Sequence, residues 1–224
     1  MKHWGAIVKR KSKFAFVGMN IHVSCITDFL PTLCQVLTEV PVEVGFDIEI
    51  KYPANKKELE QLSIKGIRDI NAYVDTILSV VFDHAATRRI VFSCFSPDVC
   101  LLLRAKQTRF HVMFLTEAPL DDPDLRVASL EVACQFVTFC DLQGLVCDSK
   151  SLQGNASVLD KLIGRGRMVW TYGAMNNKEE WNTWQYARGV SAVITDLVQE
   201  EIGKSPVLGR SPVLKPRKSP SLGL

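Results

Sequence analysis

The chain has 224 residues, of which 47% are hydrophobic and 23% charged. These values are ordinary for a globular protein and exclude a collagen-like or low-complexity chain. Residues 1–13 and 202–224 each carry five basic residues and no acidic one, so the net charge of +3 hides an acidic body with basic ends. An acidic body argues against nucleic acid as the main partner, because phosphate binding needs a cationic face.

The seven cysteines predict free thiols. Their number is odd and no C-x-x-C pair occurs, so a reducing compartment is favoured over disulfides or a zinc site. No uninterrupted apolar run approaches the roughly 18–20 residues of a membrane span. The basic N-terminal segment is a poor signal peptide. We therefore expect a cytoplasmic protein with no membrane span.

The first elements in chain order lie between residues 31 and 52. The segment "PTLCQVLTEV" (31–40) predicts a short helix, and "GFDIEIKY" (45–52) predicts a strand. Successive side chains of a strand point to opposite faces, so Asp47, Glu49 and Lys51 share one face. That face belongs either to an exposed strand edge or to the wall of an active site.

Strands and helices continue to alternate as far as residue 196. Apolar residues at helical spacing predict a helix over 67–85, and Ser96-Pro97-Asp98 is typical of a helix N-terminus. Residues 130–139 fit either a strand or a helix. The remaining predicted helices are 157–164 and 177–188, and the remaining predicted strands are 88–95, 110–116, 144–148, 167–173 and 190–196.

The fold class follows from the character of these strands. Most are apolar on both faces and separated by helical segments, which predicts an α/β fold with a parallel sheet and helical crossovers. In a closed barrel of this kind, the charged face of residues 45–52 would point to the interior near the mouth where active sites lie.

Four motifs in chain order resemble the glycerophosphodiester phosphodiesterase family, and most of all its eukaryotic glycerophosphocholine phosphodiesterase branch. They are "LPTLCQVLTEVPVEVGFDIEIKYP", "RRIVFSCFSPDVCLLLRAKQTRFHVMFLT", "MVWTYGAMNN" and "GVSAVITDLV". The resemblance implies a TIM-type (β/α)8 barrel. About six of its eight units are present and the first two strands are missing, and six strands cannot close such a barrel.

The same resemblance divides the chain into three parts. Residues 1–29 form an unmatched basic N-terminal segment, and residues 30–202 form the partial catalytic domain. Residues 203–224 are rich in Ser and Pro and predict a disordered basic tail. Residues 14–25 have a strand-like composition that could cover the open edge of the sheet.

The resemblance also implies roles for three residues. The family holds Ca²⁺ or Mg²⁺ with three carboxylates, one of which belongs to an E-x-K motif that matches Glu49 and Lys51 here. Glu49 is then the implied metal ligand and Lys51 the implied phosphate-binding cation, as suits hard oxygen ligands and a developing negative charge. Trp170 matches an aromatic residue that lines the substrate mouth, although a core tryptophan at a strand end fits it equally.

The implied activity is metal-dependent hydrolysis of small glycerophosphodiesters, such as glycerophosphocholine, to glycerol phosphate and an alcohol. The family's H-R-G and H-D histidines, which act as the acid/base pair, are not recognisable, nor are its other two metal carboxylates. "HWGA" at residues 3–6 is interpreted as coincidence. His22, His84 and His111 are expected to be core or surface residues.

Two other interpretations stay open at this stage. One is a catalytically inactive fragment or isoform that acts as a binding or regulatory module, with a full-length homologue as partner. The other is a scaffold without a small-molecule site. Because the acid/base pair is not visible, we expect the isolated chain to lack metal-dependent phosphodiesterase activity.

Overall fold

Helices and strands alternate throughout the computed structural model, which describes residues 30–52, 69–119 and 124–196. The helices are α1 Leu33–Glu39, α2 Ile70–His84, α3 Pro97–Lys106, α4 Leu130–Phe139, α5 Ala156–Gly164 and α6 Glu179–Ala187. The strands are β1 Phe46–Glu49, β2 Ile90–Cys94, β3 His111–Thr116, β4 Gly144–Asp148, β5 Met168–Tyr172 and β6 Ala192–Val193. Short 3₁₀ turns occupy Leu125–Val127, Ser149–Leu152 and Ala174–Asn177.

The six strands form one sheet in the order β1 to β6, and every neighbouring pair is parallel. A helix follows each of the first five strands, as crossovers between parallel strands require. The α/β class and the parallel sheet are therefore confirmed, and six consecutive parallel strands agree with an incomplete barrel.

Local sequence signals fix the starts of two helices. Ser96 caps α3 by accepting a hydrogen bond from the backbone N–H of Val99 at 3.4 Å, and Pro97 takes the first helical position. Ser129 caps α4 in the same way by accepting from Val132 at 3.2 Å. The ambiguous residues 130–139 are thus a helix, whose buried residues recur at helical spacing.

Arg88 ties α1 and the start of β1 to the rest of the sheet. Its side chain is buried, and Nη2 donates to the carbonyl of Leu37 at 3.0 Å while Nη1 donates to that of Pro41 at 2.8 Å. The carbonyls of Val40 and Val44 accept further bonds from the same two nitrogens. One guanidinium therefore donates to four carbonyls in the last turn of α1 and in the loop that follows it.

The hydrophobic clusters on the two faces of the sheet differ in size. The outer face packs against the helices in the main hydrophobic core, which includes Ile48, Phe92 and Phe114. The inner face carries a smaller apolar cluster, with Met113 and Tyr172 among its buried members.

Gly144 keeps the inner face closely packed. A Cβ at this position would lie 2.1 Å from the carbonyl oxygen of Met168 and 2.9 Å from Cε of Met113. Both distances are shorter than real contacts, so a larger residue here would push β4 and β5 apart.

A buried polar network lies behind β5, between the sheet and α6. Gln185 accepts from the Thr171 hydroxyl at 2.6 Å and donates to Oδ1 of Asn176 at 3.0 Å and to Oδ1 of Asn182 at 3.3 Å. All four side chains are at least nine-tenths buried. We call these four residues the outer network.

Several predicted elements are shorter than expected or lie outside the described residues. β6 covers two residues of the predicted 190–196, and α2 begins at Ile70, where the Asp69 carboxylate accepts from the backbone of Asn71. Residues 1–29, with the strand-like 14–25, and residues 203–224 are outside the described ranges. Within those ranges, no helix combines the length and hydropathy that crossing a membrane requires.

Candidate active site

Glu49 ends β1 and faces the inside of the curved sheet. Its carboxylate is buried, and Oε1 accepts a hydrogen bond from Nζ of Lys51, whose side chain is 46% exposed. The other oxygen, Oε2, is buried without a hydrogen-bond partner. The structure therefore brings Glu49 and Lys51 together at the carboxyl end of the strand, where barrel enzymes place their sites.

Asp47 adds a second carboxylate to the same face. The Ser93 hydroxyl on β2 donates to Oδ1 of Asp47 at 2.8 Å. Burial raises the pKa of Asp47 to about 7, the bond from Ser93 opposes this rise, and the charge of Glu49 adds to it. The D-x-E alternation in the sequence was the signal for this pair.

A hard divalent cation fits part of this arrangement. The unpartnered Oε2 of Glu49 is an oxygen ligand of the kind that Ca²⁺ and Mg²⁺ prefer, and Asp47 lies two residues away on the same face. Within residues 30–52, 69–119 and 124–196, however, no group of three His, Cys, Asp or Glu side chains could hold a metal ion. A complete set of ligands would need oxygens beyond those that the described residues supply.

Trp170 also lies on the inner face, in the middle of β5. It is opposite Val146 on one side and Ala192 on the other, and it packs against the inner apolar cluster. Three strands lie between it and the strand of Glu49, so the two residues line different sides of the same interior. Its role at the substrate mouth stays a prediction.

An aromatic corner formed by Phe95 and Tyr172 was not predicted. Phe95 follows β2 and Tyr172 ends β5, and their ring centroids are 6.4 Å apart at an interplanar angle of 84°. The Tyr172 hydroxyl donates to the carbonyl of Thr116 at 3.1 Å. The two residues are 77 positions apart in the sequence, so only the curvature of the sheet brings them into contact.

Acidic side chains surround this corner. Burial raises the pKa of Tyr172 most, and the nearby carboxylates of Glu117 and Asp148 raise it further. Asp148 is directly opposite Tyr172 in the register of β4 and β5. We call the curved six-stranded sheet the half-barrel, and the end at which its strands have their carboxyl termini its mouth. The carboxylates of Glu117 and Asp148 make this mouth negatively charged around Tyr172.

Gly173 lets the chain turn sharply beside Asp148. Its φ is +109°, and a Cβ there would lie 3.0 Å from Oδ1 of Asp148 and 3.4 Å from Oγ of Ser149. The same carboxylate oxygen accepts from the backbone N–H of Lys150 at 2.8 Å. The hydroxyl of Ser149 is fully buried and has no hydrogen-bond partner.

The described histidines lie away from this mouth. His84 is the last residue of α2, and His111 is the first residue of β3, at the amino-terminal end of the sheet. The expectation that neither belongs to an acid/base pair agrees with these positions. His3 and His22 are outside the described residues.

The sequence matches the Glycerophosphoryl diester phosphodiesterase family over residues 5–200, a span that begins upstream of the motifs recognised from Leu30 onwards. It is 39% identical over 182 residues to a glycerophosphocholine phosphodiesterase of Candida albicans. The aligned region is 80% of this chain but only 16% of that relative. The predicted boundaries at residues 29 and 202 stay a prediction.

Two solved structures support the fold. A glycerophosphodiester phosphodiesterase of Thermotoga maritima superposes with a TM-score of 0.55 at 19% identity, covering 77% of this chain and 63% of its own. A phosphodiesterase of Oleispira antarctica, solved with the product sn-glycerol-3-phosphate, gives a TM-score of 0.52 at 16% identity, with 71% and 54% covered. At such identities the likeness concerns the fold alone.

Proposed function

The chain belongs to the glycerophosphoryl diester phosphodiesterase family, and from this premise we propose that it acts on glycerophosphodiesters such as glycerophosphocholine. The proposal rests on one observation: Glu49 is buried at the carboxyl end of β1 with one oxygen bound to Lys51 and the other unpartnered. A buried carboxylate with an unsatisfied oxygen is costly to the fold, which supports a functional role.

The two residues have separate tasks in this proposal. Oε2 of Glu49 would hold Ca²⁺ or Mg²⁺, which when bound would stabilise the negative charge that the phosphodiester develops during hydrolysis. The partly exposed amine of Lys51 binds the phosphate from the same side and adds a fixed positive charge. The products would be glycerol phosphate and a free alcohol.

A second candidate is a binding module without turnover, with a full-length homologue as its partner. The positions of His84 and His111 favour it, because neither lies at the carboxyl ends of the strands. Hydrolysis needs an acid to protonate the leaving alkoxide, and that group would have to come from residues outside the described ranges.

One experiment separates the two candidates. The whole 224-residue chain is assayed for release of glycerol phosphate from glycerophosphocholine, with Ca²⁺, with Mg²⁺ and with a chelator. Binding of glycerol 3-phosphate is measured in parallel by calorimetry. The variants are Glu49→Gln and Lys51→Met, and Glu131→Gln, on the exposed side of α4, serves as the matched control.

The outcomes are distinct. Turnover that disappears with the chelator and with Glu49→Gln supports hydrolysis. Binding of glycerol 3-phosphate that Lys51→Met weakens, without turnover, supports the binding module. If there is neither turnover nor binding, or if Glu131→Gln has the same effect as the site variants, both candidates are wrong.

A further inference from the structure

We propose that Phe95, Tyr172 and Asp148 form a subsite for a quaternary ammonium group at the mouth of the half-barrel. The inference rests on the proposed function, since it assigns the residues that would recognise the alcohol end of the substrate. The ligand class is a trimethylammonium group such as that of choline.

The aromatic corner supplies the main contact. Phe95 and Tyr172 stand nearly perpendicular, at 84°, with centroids 6.4 Å apart, so they form two adjoining walls. A cation over the face of an aromatic ring is attracted by the negative charge of that face, and rings arranged as walls of a cage are typical of quaternary ammonium sites.

Nearby carboxylates give the aromatic corner a negative charge that complements a cationic ligand. Asp148 is opposite Tyr172 in the sheet register, and Glu117 follows β3 on the other side of β4. Both are close enough to act on the tyrosine hydroxyl electrostatically. The amine of Lys51 is bound to Glu49 on β1, at the far edge of the described sheet. A cation is therefore favoured at the corner, on the other side of the interior from the amine of Lys51.

Hydrogen bonding favours a quaternary over a primary ammonium group. The Tyr172 hydroxyl already donates to the carbonyl of Thr116, so the two aromatic walls offer a cation mainly ring contacts. Phe95 has no polar atom. A primary amine needs several acceptors to replace its water, whereas a trimethylammonium group needs none.

The aromatic corner and Lys51 face the same interior from different strands, so one ligand can contact both. Glu49 and Lys51 lie on the first strand of the sheet, and Tyr172 lies on the fifth, facing the same interior. Phe95, from the strand beside Glu49, reaches Tyr172 across that interior. A ligand with its phosphate at Lys51 can thus extend its alcohol end towards the corner.

The test compares choline with 3,3-dimethylbutan-1-ol, which has the same shape but no charge. Binding of each to the whole chain is followed by saturation-transfer NMR titration, and glycerol 3-phosphate is titrated separately. We expect choline to bind at least about tenfold more tightly than the neutral alcohol, since a desolvated cation–aromatic contact accounts for roughly that factor.

Matched variants test the three residues. We expect Phe95→Leu and Tyr172→Leu each to weaken choline binding by about two- to thirtyfold, while Tyr172→Phe, which keeps the ring, has little effect. Asp148→Asn should weaken choline but leave the neutral alcohol unchanged. Phe139→Leu, at a fully exposed aromatic on α4, and Asp83→Asn, at an exposed position on α2, are the controls.

The results distinguish the subsite from the proposed function. No choline binding, equal affinity for the neutral alcohol, or insensitivity to all three site variants overturns the subsite. If glycerol 3-phosphate still binds in that case, the proposed function survives. If choline binds as expected and glycerol 3-phosphate does not, the subsite stands and the proposed function is wrong. Circular dichroism of each variant separates lost binding from lost folding.

Discussion

The buried polar groups behind β5 and those on the inner side of the sheet differ in how their hydrogen bonds are satisfied. Behind the strand, in the outer network, the Gln185 amide is hydrogen-bonded through both its oxygen and its nitrogen. On the inner side and across the half-barrel, Oε2 of Glu49 and Oγ of Ser149 are buried without partners. Satisfied buried groups hold a fold together, whereas an unsatisfied buried carboxylate oxygen costs stability that a bound cation would recover.

The largest effect on stability is expected in the outer network. Gln185→Ala leaves a cavity and removes three hydrogen bonds, so we expect the free energy of unfolding to fall by about 3 kcal/mol. Urea unfolding followed by circular dichroism measures it. Gln153→Ala, at an exposed glutamine, is the control and should change little. A loss for Gln185→Ala that only equals the control would show that the network is not structural.

A slightly smaller loss is expected where Arg88 ties α1 to the sheet. Arg88→Met keeps most of the apolar side chain but removes the guanidinium donor from the carbonyls of Leu37, Val40 and Val44, at a cost of about 2 kcal/mol. Arg89→Met, at the exposed neighbour, should cost less than about 0.5 kcal/mol. Similar unfolding midpoints for the two variants would contradict the role assigned to Arg88.

A substitution of Glu49, on the inner side of the sheet, should affect ligand binding more than stability. Glu49→Gln removes a buried charge that has one unpartnered oxygen, so we expect the free energy of unfolding to stay within about 1 kcal/mol of wild type. Glycerol 3-phosphate binding in the presence of Ca²⁺ should nevertheless fall. Stability lost on the scale of Gln185→Ala, with ligand binding unchanged, would make Glu49 a structural residue.

The smallest effect concerns an exposed cluster at the opposite end of the sheet. Asp141 pairs with Arg167 at 2.7 Å and Arg104 at 2.9 Å, and these bonds lower the pKa of its carboxyl. A lowered pKa stabilises the fold above the carboxyl's usual pKa of about 3.8, and this stabilisation is lost as the pH falls below it. Because Asp141 is about half exposed, its contribution is below about 1 kcal/mol.

The corresponding test is Asp141→Asn, which also tolerates the positive φ of this position. We expect a small loss of stability at pH 7 that becomes smaller as the pH falls below about 3.8. Asp83→Asn, at an exposed aspartate on α2, is the control. A difference between wild type and Asp141→Asn that does not become smaller at acidic pH would mean that the charge is not the cause.

Local patterns in the sequence predicted most of the elements. The strands around Phe92 and Phe114 were recognisable because both of their faces are apolar, and Ser96 with Pro97 marked the start of α3. Residues 130–139 stayed ambiguous because an almost wholly apolar segment lacks a periodicity that separates helix from strand. In the structure these residues form a helix, which begins after the N-cap residue Ser129.

The candidate site was predictable only where its residues are neighbours in sequence. Glu49 and Lys51 are two apart on one strand, so their common face followed from the alternation of side chains. The aromatic corner depends on the curvature of the whole sheet, which no local pattern encodes. A signal was nevertheless present, since Asp148 is the last residue of one predicted strand and Tyr172 the last but one of another, where the mouth of a barrel lies.

The position of Arg88 also has a consequence for the order of folding. The carbonyls it satisfies are 44 to 51 residues away in the sequence, so their bonds cannot form until the intervening chain has closed a long loop. The end of α1 therefore gains these partners only after β2 has docked beside β1. We expect amide protons of α1 to exchange together with those of β1 and β2, as one cooperative unit, and in Arg88→Met to exchange earlier than them.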